Sequence, residues 1–515
     1  MERTLRRLQL EEKIGQMIMA RAYGTYFSIA SDSYERLDHL VRRLKVGGFV
    51  FFRGDVYETA VLVNRLQSTA EVPLLIAADM ERGVAMRVRR ATLFPDAMAL
   101  GATRDTGLAE RMGEVIAQEG RALGVHQNYA PVLDLNNNPK NPVINVRSFG
   151  EDPTLVSRLT IALIHGLQKG GVVATVKHFP GHGDTEIDSH LGLPVLSFTR
   201  GRLDSLELVP FKQAISAGVS SIMIAHLALP NVDTTGIPAT LSPVVVQQLL
   251  RSDLHFNGLI VTDALEMAAV VNQFSVAEIA VRAVKAGSDM LLLPADEEHS
   301  IRAIAAAVRR GEISESRIDE SVRRILSTKA ALGLPEHRQV DLRLIPEVVG
   351  TRDHLALAKD IARRSITIVK NDSSMIPLQV RSLSRTACVV VSDAEDYRTE
   401  VNRASNPYQD ERVGDYFIAQ LRSRTGPLDT YRVDSKSDRT DFDSVLAAVR
   451  SADLFVCPTY VRLRTGTGKI GLPDSLKAFL QSLAALGKPV VLVSLGNPYV
   501  IADVPGARSL ICAYS

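Results

Sequence analysis

GVVATVKHFPGHGDTEIDSH, residues 171–190, opens as a strand and ends as a cluster of ionisable side chains. Its first part is a continuous apolar, β-branched run, the pattern of a strand covered on both faces. Its second part carries Lys177, His178, His182, Asp184, Glu186, Asp188 and His190 around Pro180, Gly181 and Gly183. Gly and Pro let the backbone turn sharply, so these side chains can converge on one cavity. Packing does not account for so many titratable groups at one strand end. The segment reads as a candidate active site.

The same strand pattern recurs on both sides of it. Candidate strands are IGQMIMA (14–20), GGFVFF (47–52), PLLIAAD (73–79), HQNYAPVLD (126–134), GVVATVKHF (171–179), SIMIAHL (221–227), GLIVTDA (258–264) and DMLLLP (289–294). Between several of them lie stretches of 3.6-residue periodicity, such as TGLAERMGEVIAQEGRALG and FSVAEIAVRAVKAG. Continuous apolar strands alternating with helices predict a parallel sheet, and eight of them fit a (β/α)8 TIM-type barrel. An open doubly wound sheet is the alternative, because periodicity alone does not separate the two. A barrel demands functional groups at the C-terminal ends of strands. Asp79 ends PLLIAAD, Lys177 and His178 end GVVATVKHF, His226 nears the end of SIMIAHL, and Asp263 ends GLIVTD. That coincidence outweighs any single motif.

Around residues 334–355 the pattern breaks into LPEHRQVDLRLIPEVVGTRDH, a charged, Pro-containing connector. Beyond it, SITIVKN, ACVVVSD, ADLFVCPTY, KPVVLVSLG and SLICAYS alternate with helical segments near 410–423, 441–451 and 473–486. The expected organisation is a barrel over 1–335, a linker over 336–355, and a smaller α/β sandwich domain with a mostly parallel sheet over 356–515. The chain stops at Ser515 directly after a strand-like run, which predicts an incomplete or unusually short second unit.

Composition bounds the function classes. The 515 residues are 46% apolar and 23% charged, ordinary for a soluble globular enzyme of two or three domains. A net charge of +2 gives no reason to expect a nucleic-acid or membrane partner. Cys388, Cys457 and Cys512 sit in apolar runs and read as buried free thiols rather than a disulfide framework. No apolar run approaches the length of about 20 residues a membrane span needs. Glu11, Glu12 and Lys13 interrupt any signal-peptide core, so the N-terminus reads as an amphipathic helix and the chain as cytoplasmic. No Walker or GxGxxG loop stands at a strand-to-helix junction, and no cofactor is expected. Trp is absent and aromatics are 5%, which favours a short soluble substrate over a long polysaccharide.

Asp263 at a strand end can act as a nucleophile; the plain alternative is a helix N-cap. Asp188 can hydrogen-bond the imidazole of His190 and favour its protonated form, making His190 a general acid and then base. A solvated loop with incidental charge is the competing explanation. His178, His182 and His190 with Asp184 or Asp188 have ligand types for zinc or manganese, but Pro180 and Gly181 forbid helical i, i+4 ligation, so no metal is expected. His182, between two glycines, reads as a loop brace. Arg147 and Asp79 could grip a polar ligand, or could form a structural ion pair between loops.

The combination EEKIGQM, AADMERG, NYAPVLDLN, NVRSFGEDP, KHFPGHGDTEIDSH and VTDAL resembles glycoside hydrolase family 3, in its β-N-acetylglucosaminidase branch. The resemblance covers the whole chain and implies a barrel followed by an α/β sandwich. The KHFPGHG…DSH stretch marks this branch against the β-glucosidases, whose acid/base is a carboxylate from another domain. It implies an Asp188–His190 acid/base dyad, Asp263 as nucleophile, and sugar contacts from Asp79, Arg87, Arg147, Lys177 and His178. One departure stands out: the family pattern D-x-E-G-G-R-V-x-R is DMERGVAMR here, with Arg82 for a glycine and Val84 for an arginine. The expected reaction is retaining hydrolysis of terminal β-linked N-acetylglucosamine from a small oligosaccharide or muropeptide, in peptidoglycan recycling or chitooligosaccharide breakdown. A phosphorylase on the same scaffold, a metal-dependent hydrolase and a non-catalytic sugar-binding protein are the alternatives.

Overall fold

The computed structural model describes residues 1–378, 385–393, 412–462, 466 and 470–514. Its first sheet contains β1 (Ile18–Gly24), β2 (Gly48–Asp55), β3 (Leu75–Ala78), the two-residue β4 (Val88–Arg89), β5 (Gln127–Asn128), β6 (Val173–Phe179), β7 (Ser221–Ile224), β8 (Leu259–Thr262) and β9 (Leu291–Leu292). All pairs are parallel, in the order β8-β7-β6-β5-β3-β2-β1-β9, with β4 set beside β2. Ile18 pairs with Leu291, and a bridge between Val261 and Met290 links the far edge to the residue before β9. The eight strands of the ring are therefore nearly closed into a TIM-type barrel.

Local signals explain the helices around it. Asp105 caps Thr106–Ala122 by accepting from the N–H groups of Gly107 and Leu108, and Asp152 caps Pro153–Lys169, which opens with proline. Ser275 and Glu278 form a capping box on Val276–Ala286, which ends at Gly287 with φ +117°. Helices on the outside and side chains on the inside leave every position of β6 buried. Gly48 lets β2 approach β3: a Cβ there would stand 1.8 Å from the Leu75 carbonyl oxygen.

The predicted strand over 14–20 is only half correct. Leu10–Gln16 is a helix with a Gln9/Glu12 capping box, and β1 runs on to Gly24. The amphipathic N-terminus is two helices, Glu2–Arg7 and Leu10–Gln16.

The second sheet holds β10 (Thr367–Asn371), β11 (Thr386–Ser392), β12 (Asp429–Val433), β13 (Leu454–Val461), β14 (Val490–Gly496) and β15 (Ser509–Cys512). Its order is β10-β15-β14-β13-β11-β12, parallel except for β10 against β15. Helices Asp415–Thr425, Arg439–Ala448 and Asp474–Ala484 correspond to the three helical segments read from sequence. Residues 410 and 411 of the first segment, and Ser515, lie outside the described residues. The three cysteines are free and buried. In the connector, Ile345–Val348 forms one helical turn, and Arg352–Ser365 packs on the barrel helices Ala97–Thr103 and Thr106–Ala122. Buried Glu119 fastens it, accepting from the Gly350 N–H at 2.9 Å and bonding His354 Nδ1 at 2.8 Å. No helix among the described residues is long and apolar enough to cross a membrane.

Candidate active site

The C-terminal ends of β3, β6 and β8 bring Asp79, Lys177, His178 and Asp263 to one end of the barrel. Lys177 is buried and its Nζ bonds Asp79 Oδ1 and Glu81 Oε1, each at 2.7 Å. Arg87 closes on Asp79 Oδ2 at 3.1 Å and lies over the Phe52 ring. Arg147 grips Glu81 with two parallel bonds, Nε to Oε2 at 2.9 Å and Nη2 to Oε1 at 2.7 Å, and its Nη1 reaches the Val143 carbonyl at 3.0 Å. Burial alone would push these carboxyl pKa values up. The cations win: Lys177 and Arg87 bring Asp79 down, and Arg147 and Lys177 hold Glu81 well below the usual range. Burial likewise opposes the charge on Lys177, but Asp79 and Glu81 raise its pKa. The ion-pair alternative for Asp79 and Arg147 is thus observed as geometry: Asp79 pairs with Lys177 and Arg87, Arg147 pairs with Glu81, and Lys177 bridges the two carboxylates.

Asp134 organises the next layer. It accepts from the backbone N–H of His178 at 3.2 Å and of His182 at 2.7 Å, and pairs with His178 Nδ1 at 2.6 Å. This fixes the His178 ring and leaves Nε2 without a hydrogen-bond partner among the described residues. Asp263 Oδ1 accepts from the Ala264 N–H at 2.8 Å, its one hydrogen bond among the described residues. Burial pushes its pKa up, but His226, His178 and that N–H bring it down to about 2, so it is ionised at neutral pH. His226 Nε2 donates to the Ala264 carbonyl at 2.9 Å and so steadies the residue next to Asp263.

The loop after β6 turns through Gly181, whose φ is +132°, and passes so close to Leu135 that a Cβ on Gly183 would stand 1.6 Å from its carbonyl oxygen. His182 braces this loop: Nδ1 meets Thr185 Oγ1 at 2.8 Å and Nε2 meets Ser189 Oγ at 3.2 Å. Burial, with His178 nearby, lowers its pKa to about 4, so the brace is a neutral imidazole. Asp188 is buried, and its Oδ1 accepts from the His190 N–H at 2.9 Å and bonds His190 Nδ1 at 2.8 Å. The His190 ring is 41% exposed, with Nε2 turned away from the pairing. Burial opposes ionisation of Asp188, but its bonds with His190 and the Gly466 N–H lower its pKa. Burial lowers the pKa of His226, with His190 and His178 adding to that and Asp263 opposing it.

Glu81 and Asp134 were missed from sequence. Asp134 ends the run HQNYAPVLD, so the strand-end rule could have found it; Glu81 lies two residues past Asp79, and its signal was its match to the glutamate of the D-x-E pattern. At the departure from the family pattern, Val84 is buried in a short 3-10 turn and Arg82 reaches Asp96 at 3.4 Å. Among the described residues no three His, Cys, Asp or Glu side chains gather as metal ligands.

The Glycosyl hydrolase family 3 N terminal domain matches residues 9–328. The chain belongs to glycosyl hydrolase family 3. This family 3 glycoside hydrolase is 31% identical over 524 aligned residues to a β-N-acetylglucosaminidase/β-glucosidase of Cellulomonas fimi, covering 99% of this chain and 90% of that one. Among solved structures it resembles a family 3 β-N-acetylglucosaminidase from Paenibacillus sp. str. FPU-7, with TM-score 0.85, 34% identity, and 99% and 94% of the two chains covered. It also resembles the β-glucoside phosphorylase BglX, with TM-score 0.88, 28% identity, and 100% and 91% covered.

Proposed function

We propose that this family 3 enzyme is a retaining exo-β-N-acetylglucosaminidase, releasing terminal β-linked N-acetylglucosamine from short oligosaccharides or muropeptides. The observations that support the reading are the Asp188–His190 hydrogen bond in the loop after β6 and the ionised Asp263 at the end of β8. Asp263 attacks the anomeric carbon while His190, oriented by Asp188, gives its Nε2 proton to the leaving oxygen. The glycosyl-aspartate is then hydrolysed by a water whose proton His190 takes back. Asp79, Arg87, Arg147, Lys177 and His178 hold the sugar. Ion pairs among Asp79, Arg87 and Lys177, and those of Arg147 with Glu81 and His178 with Asp134, fix the side chains before substrate arrives, so less ordering remains for the transition state. In this reading residues 1–335 form the catalytic barrel, 336–355 the connector and 356–515 the second domain. The names of the Cellulomonas and Paenibacillus relatives support the sugar assignment.

Phosphorolysis is the second reading, favoured by the likeness to a β-glucoside phosphorylase and by an imidazole that repels phosphate less than a carboxylate would. Chromogenic β-N-acetylglucosaminide and β-glucoside, each with and without phosphate, test both. Turnover of the first to free sugar at an unchanged rate supports hydrolysis. A phosphate-dependent rate with sugar-1-phosphate as product moves the function to the second reading, and inactivity on both sugars overturns both. A mechanism-based fluorosugar should label Asp263; label elsewhere refutes the nucleophile.

A further inference from the structure

The Asp188 carboxylate has two oxygens to satisfy and no exposure to water at its side chain. Oδ1 is taken up by His190, through its N–H and its Nδ1. Oδ2 accepts from the backbone N–H of Gly466 at 2.6 Å, a residue 278 positions later in the chain. Among the described residues no other donor reaches Oδ2. Gly466 lies between β13 and helix Asp474–Ala484, and so belongs to the second sheet's part of the chain. It is exposed, its φ is +80°, and no atom of the described residues lies within 4 Å of where a Cβ would stand. Glycine suits that left-handed backbone, and crowding plays no part.

We infer that the Gly466 N–H is a positioning group for the acid/base pair, holding the Asp188 carboxylate from outside the barrel so that its other oxygen faces His190 Nδ1. The inference rests on the dyad reading above. An N–H to carboxylate bond is charge-assisted and short, and it fixes rotation of the carboxyl group about its own axis. The barrel alone does little to do this. Glu186, Ile187 and His190 are exposed, and the loop's neighbouring anchor is the His182–Ser189 bond at 3.2 Å. The lowered pKa of Asp188, to which the Gly466 N–H contributes, fits the same geometry. An aspartate that is ionised and correctly turned keeps the proton on His190 Nδ1 and orients Nε2 toward the leaving group. The second part of the chain thus acts in proton transfer through a main-chain donor, without lending a side chain.

The test compares two full-length variants on β-N-acetylglucosaminides with poor (alkyl) and good (dinitrophenyl) leaving groups. Gly466→Pro removes the N–H, whereas Gly466→Asn keeps it and tolerates a left-handed backbone. With Gly466→Pro, kcat/KM on the alkyl glycoside should fall by about 10- to 100-fold, part of the full general-acid effect, while the dinitrophenyl glycoside, which leaves unprotonated, changes little. Gly466→Asn should match wild type on both. Equal losses on both leaving groups, unchanged alkyl turnover in Gly466→Pro, or loss in Gly466→Asn would each overturn the inference. Should Gly466→Pro fold poorly, amide hydrogen exchange at Gly466 decides instead: it should quicken in Asp188→Ala, and an unchanged rate refutes the bond. A wild type inactive on both sugars, or an Asp188→Ala enzyme blind to leaving group, would fell the dyad reading itself and this inference with it.

Discussion

Two buried lysines, Lys177 and Lys329, have the same exposure and opposite electrostatics. Each side chain is about as hidden as the other, at 2% of residue exposure. Lys177 faces Asp79 and Glu81, and its pKa rises despite burial. Lys329 has Gln16 Oε1 at 2.8 Å as its partner, and burial lowers its pKa to about 7. Burial therefore does not set the charge of an amine; its partners do. The contrast also separates the two ends of the barrel. Lys177 stands at the C-terminal end of β6, while Lys329 lies on helix Glu315–Ala331, beside Gln16 just ahead of β1.

The carboxylates repeat the lesson. Asp289, just before β9, is fully buried and surrounded by Arg251, Arg324 and Ser321, with the Ile260 N–H at 3.0 Å. Its charge density rivals that of the mouth, yet its donors fill both oxygens. Among the described residues Asp263 uses one oxygen, on a single backbone N–H. Dense buried charge is common to both ends, and Asp79 and Glu81 are as fully engaged as Asp289; what sets the mouth apart is the unspent bonding capacity of Asp263.

The sharpest way to break this comparison is to neutralise each carboxylate in turn. Asp263→Asn should cost at least about 10⁴-fold in kcat/KM, the scale of losing a nucleophile, with the melting temperature nearly unchanged. Steady-state turnover beside a thermal melt checks it; residual activity within tenfold of wild type would remove Asp263 from its role. Asp188→Ala comes next, at about 10²–10⁴-fold on poor leaving groups and much less on good ones. A near-wild-type rate on a natural disaccharide would disqualify the dyad. Asp289→Ala should do the reverse, lowering stability by about 3–5 kcal/mol because several arginines lose their counterion, while kcat/KM per folded molecule stays put. Denaturant titration reads the first quantity, and a catalytic defect without destabilisation would dissolve the distinction between the two ends.

Much of the mouth was legible because its residues end strands with a strong apolar signal. Lys177 and His178 close the seven buried residues of β6, and Asp263 follows β8. Asp134 was within reach of the same rule, because it closes the run HQNYAPVLD, although β5 itself is only Gln127–Asn128. Glu81 escaped because its partners, Arg147 and Lys177, come from loops and strands 66 and more residues away. β12 went unread for a different reason: Asp429–Val433, the run DTYRV, is mostly polar at the sheet edge and lacks a continuous apolar run. Gly466 had no signal at all. A main-chain donor leaves no mark on residue type, and only the fold brings it to Asp188.

The smallest effect sits at the quiet end of the barrel. The Lys329 amine titrates near 10.5 in an unfolded chain and at about 7 in the fold, where its hydrogen-bond partner Gln16 brings no charge to offset burial. Below pH 7 both states carry the proton and the fold bears the full cost of a buried charge. Between pH 7 and 10.5 the unfolded chain binds a proton that the fold does not, so stability from this group rises with pH across that window. Lys329→Met replaces the amine by an apolar chain of similar length. It should raise the unfolding midpoint most at pH 6, with the advantage shrinking as pH approaches 10. Thermal melts of both proteins from pH 6 to 10 supply the measurement. Parallel curves would mean that Lys329 keeps its charge in the fold, and that the floor amine and the mouth amine are alike after all.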